Sequence, residues 1–87
     1  MGLVRGEVTV RLWSSLCELA GRETVVVPLL REEATVREVV NRLAESWPEM
    51  NAVLPSLLVA RDCQYLSLDS AVESGDELSL MPPLSGG

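Results

Sequence analysis

The sequence has 87 residues, 47% of them hydrophobic, with no phenylalanine, no histidine and a formal net charge of −6. That length and apolar content specify one small domain with a core built mostly from leucine and valine, and they exclude a disordered chain. The acidic balance argues against a nucleic-acid partner, which needs a basic patch, and fits a protein partner with a basic surface. No apolar run is long enough to span a bilayer, and the N-terminus lacks the apolar stretch of a signal peptide, so no membrane association and a cytoplasmic (cytosolic) location are expected. Met1-Gly2 opens a myristoylation pattern, but Gly6 stands where that pattern needs Ser or Thr. Cys17 and Cys63 are far apart and have no histidine to join. A structural zinc site is therefore excluded, and both are expected to be small buried apolar residues. The absence of histidine also removes the commonest general base, so the chain is poorly equipped to be a catalyst by itself.

Along the chain, residues 1–6 read as an N-terminal extension. Glu7 to Trp13 alternates polar and apolar, the pattern of a half-buried strand, with Val8, Val10 and Leu12 inward and Glu7, Thr9, Arg11 and Trp13 outward. Ser14 to Ala20 places Leu16, Leu19 and Ala20 at helical spacing, with Gly21 as a natural stop, and reads as a short helical turn or loop. Thr24 to Val27 is β-branched throughout and reads as a second strand closed by Pro28, antiparallel to the first. Thr35 to Glu38 fits a capping box. Val36, Val39, Val40, Leu43, Ala44 and Trp47 then recur on one helix face, and Pro48 predicts that the helix ends near Ser46. Ser56 to Ala60 reads as a third strand, Arg61-Asp62 as a turn, and Cys63 to Leu66 as a short fourth strand. Ser74-Gly75-Asp76 is a turn signal. Glu77 to Met81 alternates again, with Leu78 and Leu80 inward and Ser79 and Met81 outward. Val39, Leu43, Val10 and Leu80 are expected to meet beneath the helix.

The order strand, strand, helix, strand, short strand, strand predicts an α+β domain over residues 7–81: a mixed sheet of about five strands crossed by one main helix, with the last strand central. Residues 82–87 form a tail. Pro82-Pro83 ends ladder hydrogen bonding and starts an extended segment, and Leu84-Ser85-Gly86-Gly87 completes it. Two terminal glycines arise by chance about once in two hundred chains at glycine's average frequency of roughly 7%. Neither has a Cβ, so this backbone can enter a channel closed to any other residue. The terminal carboxylate is ionised at neutral pH and can attack an activated phosphate.

Three stretches carry a resemblance to a known family: Leu16-Cys17-Glu18-Leu19-Ala20-Gly21 after the first strand, Ser74-Gly75-Asp76-Glu77-Leu78 before the last, and Pro82-Pro83-Leu84-Ser85-Gly86-Gly87 at the end. With the element order, they resemble the ubiquitin-like β-grasp superfamily, and more narrowly the small, sulfur-carrier subunits of molybdopterin synthase, over nearly the whole chain from Val8. Arg61-Asp62 departs from the Val-Asn-Gly turn of many bacterial members. The resemblance implies a flexible Gly-Gly tail whose Gly87 is adenylated by an E1-like enzyme that consumes ATP. A sulfur donor converts the adenylate to a thiocarboxylate. Pro82, Pro83, Leu84, Ser85 and Gly86 carry that sulfur into the active site of a large synthase subunit, where cyclic pyranopterin monophosphate receives it. The chain is then a non-catalytic carrier with no metal and no permanently bound cofactor, in an assembly of two large and two small subunits.

Two other readings share this tail: the sulfur carrier for thiazole synthesis, and a protein modifier joined through Gly87 to lysines of other proteins. In the β-grasp arrangement Trp13 and Met81 lie on outward faces of neighbouring strands, with Tyr65 nearby. They form an expected docking patch for the large subunit and the E1-like enzyme at the base of the tail.

Overall fold

The computed structural model describes residues 6–31 and 33–82. Seven strands and two α-helices follow in the order β1 (Gly6–Leu12), α1 (Ser15–Ala20), β2 (Thr24–Leu29), β3 (Ala34–Thr35), α2 (Val36–Ser46), β4 (Leu58–Arg61), β5 (Gln64–Leu66), β6 (Ala71–Val72) and β7 (Glu77–Met81). The main sheet has five strands in the order β2-β1-β7-β4-β5, while β3 and β6 pair separately. The last strand is central, parallel to β1 and antiparallel to β4.

Strand alternation builds the core. Val8, Val10 and Leu12 on β1, Leu78 and Leu80 on β7, and Val59 on β4 point to one face. Val36, Val39, Val40, Leu43 and Ala44 of α2 are buried there as well, and Val10, Val39, Leu43 and Leu80 belong to one cluster. The capping box forms as the sequence predicts: Thr35 N–H donates to the Glu38 carboxylate at 3.1 Å, and the Thr35 side chain accepts from the Glu38 backbone. The helix ends at Ser46, and half-buried Trp47 packs against the core.

Four elements differ from expectation. The second strand runs past Pro28 to Leu29, because β2 is an edge. Leu12 N–H donates to Glu23 C=O at 2.7 Å, and two-residue alternation then turns Val25, Val27 and Leu29 toward β1. Pro28 faces the free edge, where its missing N–H breaks no ladder bond. The third strand starts at Leu58 rather than Ser56, since Pro55 sits inside a 3-10 turn over Leu54–Ser56. Cys63 is exposed rather than buried, while Cys17 is half-buried and packs against the core. Asp62 (φ 51°) and Cys63 (φ 66°) are the two central residues of the β4–β5 hairpin, a type I′ turn that points both side chains to solvent and leaves β5 to begin at Gln64. In α1, Leu16 is buried but Leu19 is exposed, because one short turn presents only one residue fully to the core.

Two linkages fix the approach to β7. Half-buried Arg61 donates from Nη1 to Asp76 Oδ2 at 2.9 Å and to Ala71 C=O at 3.0 Å. Asp76 Oδ2 also accepts from Glu73 N–H at 2.8 Å, closing the turn before β7. At the start of β1, a Cβ on Gly6 would collide with the Ser74 side chain, so only glycine fits against that turn.

Candidate functional site: the base of the tail

The tail leaves from the C-terminal end of the central strand, so its base is held on both sides. Leu80 and Met81 pair with Val59 and Leu58 of β4. On the other side Leu12 pairs with Leu80, and Trp13 N–H donates to Leu80 C=O at 3.1 Å. That bond extends the ladder one residue beyond β1 and sets Trp13 opposite Met81. Pro82, half-buried, is the last described residue. Pro83, Leu84, Ser85, Gly86 and Gly87, named above as the inserting and reacting residues, lie outside the described residues.

The face of the sheet opposite α2 carries the polar and mixed residues of each strand. Arg11, Ser79, Ala60 and Tyr65 lie in one row across β1, β7, β4 and β5. Trp13, Met81 and Leu58 lie in the next row, at the tail base. Trp13 is 44% exposed, and the Arg11 guanidinium stands 5.1 Å from its ring centroid, a cation–π contact that holds the indole on this face. Met81 is half-buried between Trp13 and Leu58.

The structure thus brings Trp13 and Met81 alongside each other as expected. Tyr65 is 72% exposed and on the same face, but on the edge strand, two strand spacings or about 10 Å from β7. It borders the pair rather than joining it. Leu58 takes the place between them and was missed. Its signal was the unbroken run Leu57-Leu58-Val59, in which alternation forces one apolar side chain outward.

The turn after Trp13 is strained. Ser14 has φ 53° and ψ −128°, and Leu16 N–H donates to Trp13 C=O at 3.1 Å. This is a type II′ turn with serine where glycine is favoured. It bends the chain sharply into α1 and leaves Trp13 at the corner. A groove of about 430 Å³ opens elsewhere, between β2 and α2, lined by Val27, Leu29, Leu30, Ala34, Val39 and Arg42 among others. It shares no residue with the tail base. Among the described residues no group of three or more side chains could hold a metal ion, and no helix is long and apolar enough to cross a membrane.

A mixed five-stranded sheet with a parallel central pair, crossed by one helix and followed by a terminal Gly-Gly, defines a ubiquitin-like β-grasp protein. Its membership can be narrowed further: residues 10–87 match the model of the ThiS family, and the chain belongs to that family. It is 28% identical over 78 residues to the molybdopterin synthase sulfur carrier subunit of Dictyostelium discoideum, covering 87% of this chain and 91% of that one. It is 32% identical over 85 residues to small archaeal modifier protein 1 of Haloferax volcanii, covering 88% and 97%. The crystal structure of that modifier superposes with a TM-score of 0.80, covering 94% of this chain and 100% of the other. Subunit 1 in a complex of subunits 1 and 2 of the molybdopterin-converting factor of Helicobacter pylori shares the fold at 20% identity and a TM-score of 0.59, covering 93% and 99%.

Proposed function

We propose that the chain is a sulfur carrier for molybdopterin synthesis, with its own C-terminus as the reactive group. The single observation that carries this reading is the Pro82-Pro83-Leu84-Ser85-Gly86-Gly87 ending, borne on the central strand of a ThiS-family β-grasp domain. The Gly87 carboxylate attacks the α-phosphorus of ATP on an E1-like enzyme and displaces pyrophosphate. A sulfur donor displaces AMP from the acyl-adenylate and leaves a thiocarboxylate. Cyclic pyranopterin monophosphate takes up that sulfur in the large subunit, and water cleaves the acyl–sulfur bond so that Gly87 returns as a carboxylate.

The chain contributes shape rather than side-chain chemistry. Gly86 and Gly87 make the end narrow. Pro82 and Pro83 restrict the base and so reduce the entropy lost on insertion. Trp13, Met81 and Leu58, beside the point of departure, supply the apolar contact that holds a partner while the tail is inserted, and Tyr65 meets its rim. The large subunit and the E1-like enzyme compete for this patch. An assembly of two large and two small subunits in the cytosol is the proposed working form. The solved complex of the H. pylori subunits supports a large-subunit partner.

Reconstitution tests the reading. The chain carrying a Gly87 thiocarboxylate is mixed with a molybdopterin synthase large subunit and cyclic pyranopterin monophosphate. Molybdopterin should form, and deletion of Gly87 should abolish it. Transfer by a chain extended by one residue, without processing, would refute the carrier reading.

The 32% identity to the archaeal modifier favours a second reading, in which Gly87 is joined to lysines of other proteins. Conjugates on foreign lysines, found by mass spectrometry of cell extracts, would establish it. The thiazole-type carrier shares the family model and is distinguished by the acceptor that takes the sulfur.

A further inference from the structure

All seven basic residues are arginine, and lysine does not occur in the 87 residues. Folding does not demand this. Arg11 uses what a guanidinium offers, stacking over Trp13, whereas Arg61 reaches its two acceptors from one nitrogen, which an ammonium also allows. Others do not need a guanidinium either. Arg31 meets Glu38 and Arg37 meets Asp69 through one guanidinium nitrogen each, both at exposed positions. Arg42 and Glu45 are 4.0 Å apart, and Arg22 is exposed with no ion pair among the described residues. An ammonium would serve equally at all four.

We infer that the arginine-only surface protects an activated Gly87 acyl group from capture by the side chains of a second copy of this chain. The inference rests on the reading of Gly87 as an activated carbonyl. In capture, a neutral amine nitrogen attacks that carbonyl carbon. The bond to the leaving group breaks, AMP or thiolate departs with the electron pair, and the amine gives its proton to solvent. The product is an amide, which does not revert, and the copy is spent. Lysine, with a pKa of about 10.4, holds at least about a hundred times more neutral nucleophile than arginine, which is effectively always protonated. Cys63 is an exposed nucleophile too, but its thioester stays activated and exchanges with any small thiol, so it is no dead end. It follows that a side-chain amine acceptor, where this chain is conjugated, lies on another protein, and that copies do not link through their own side chains.

The test uses the full chain with a thioester installed at Gly87 by intein thiolysis, so its outcome does not depend on any activating enzyme. The α-amino group is acetylated, and a small thiol is kept in excess. Wild type, Arg22→Lys, Arg37→Lys and Arg42→Lys are incubated at about pH 8.5, where roughly one percent of lysine is neutral. Amide-linked dimers are read by denaturing electrophoresis. They are mapped after trypsin as branched peptides carrying residues 62–87 on the new lysine, since Arg61 is the last cleavage site. Each lysine variant should give at least about tenfold more side-chain dimer than wild type, with unchanged thermal unfolding. Variants with no more dimer than wild type, or wild type with as much amide dimer as the variants, would overturn the inference.

Discussion

The two faces of the main sheet are built from the same strands yet differ in kind. On β7, Leu78 and Leu80 are buried against α2, whereas Ser79 and Met81 sit half-buried on the opposite face. On β1, Val8 and Val10 face the helix, while Arg11 turns outward and stacks on Trp13. Side-chain period two therefore lets one short strand both close the core and present a second, more exposed surface. The lesson is separability: the inner face sets stability, the outer face is the proposed docking surface, and neighbouring residues can belong to different functions.

The sharpest way to break this comparison is to change neighbours. Leu80→Ala and Leu43→Ala should each cost about 2–5 kcal/mol, because both are buried in the one core cluster. Met81→Ala should cost less than about 1 kcal/mol. Urea denaturation of the three variants checks this, and equal losses at Leu80 and Met81 would erase the distinction between faces.

Between those extremes lies Arg61. Its bonds to Asp76 and Ala71 join β4 to the turn before β7. Arg61→Ala should destabilise by about 1–2 kcal/mol, as expected for a partly screened, charge-assisted pair. A loss no greater than that of an exposed control such as Arg37→Ala would show that the linkage is idle.

On the outer face, Trp13→Ala should weaken binding to a large subunit by more than about 1 kcal/mol. It should change stability by less than about 0.5 kcal/mol. Calorimetric titration and thermal unfolding read the two halves separately. Collapse of the fold would show that Trp13 belongs to the inner face after all. A small effect of opposite sign is expected at the hairpin: Cys63→Gly should stabilise by less than about 1 kcal/mol, since relief of the left-handed backbone is partly offset by the greater freedom of glycine when unfolded. A lower midpoint in urea would contradict this.

The inner face was legible in the sequence because it follows local periods. The stripe from Val36 to Ala44 and the alternation in β1 and β7 specify helix, strands and core without any knowledge of pairing. The outer face was less legible because it depends on register. Whether Pro28 ends a strand depends on which way its nitrogen faces, and that is settled by the pairing with β1. Whether Tyr65 touches Met81 depends on the strand between them, where Leu58 intervenes. Cys63 is exposed through turn geometry that its residue type does not favour. The reactive end was read from composition and resemblance alone, and its geometry lies beyond the described residues.

The central claim is that the C-terminus itself carries sulfur. Its most direct test is the intact mass of the chain after incubation with an E1-like enzyme, ATP and a sulfur donor. The account predicts a gain of about 16 Da, one oxygen replaced by sulfur at a terminal group, assigned by fragmentation to Gly87. An unchanged mass under conditions that form the acyl-adenylate, or a gain assigned to Cys17 or Cys63, would contradict it.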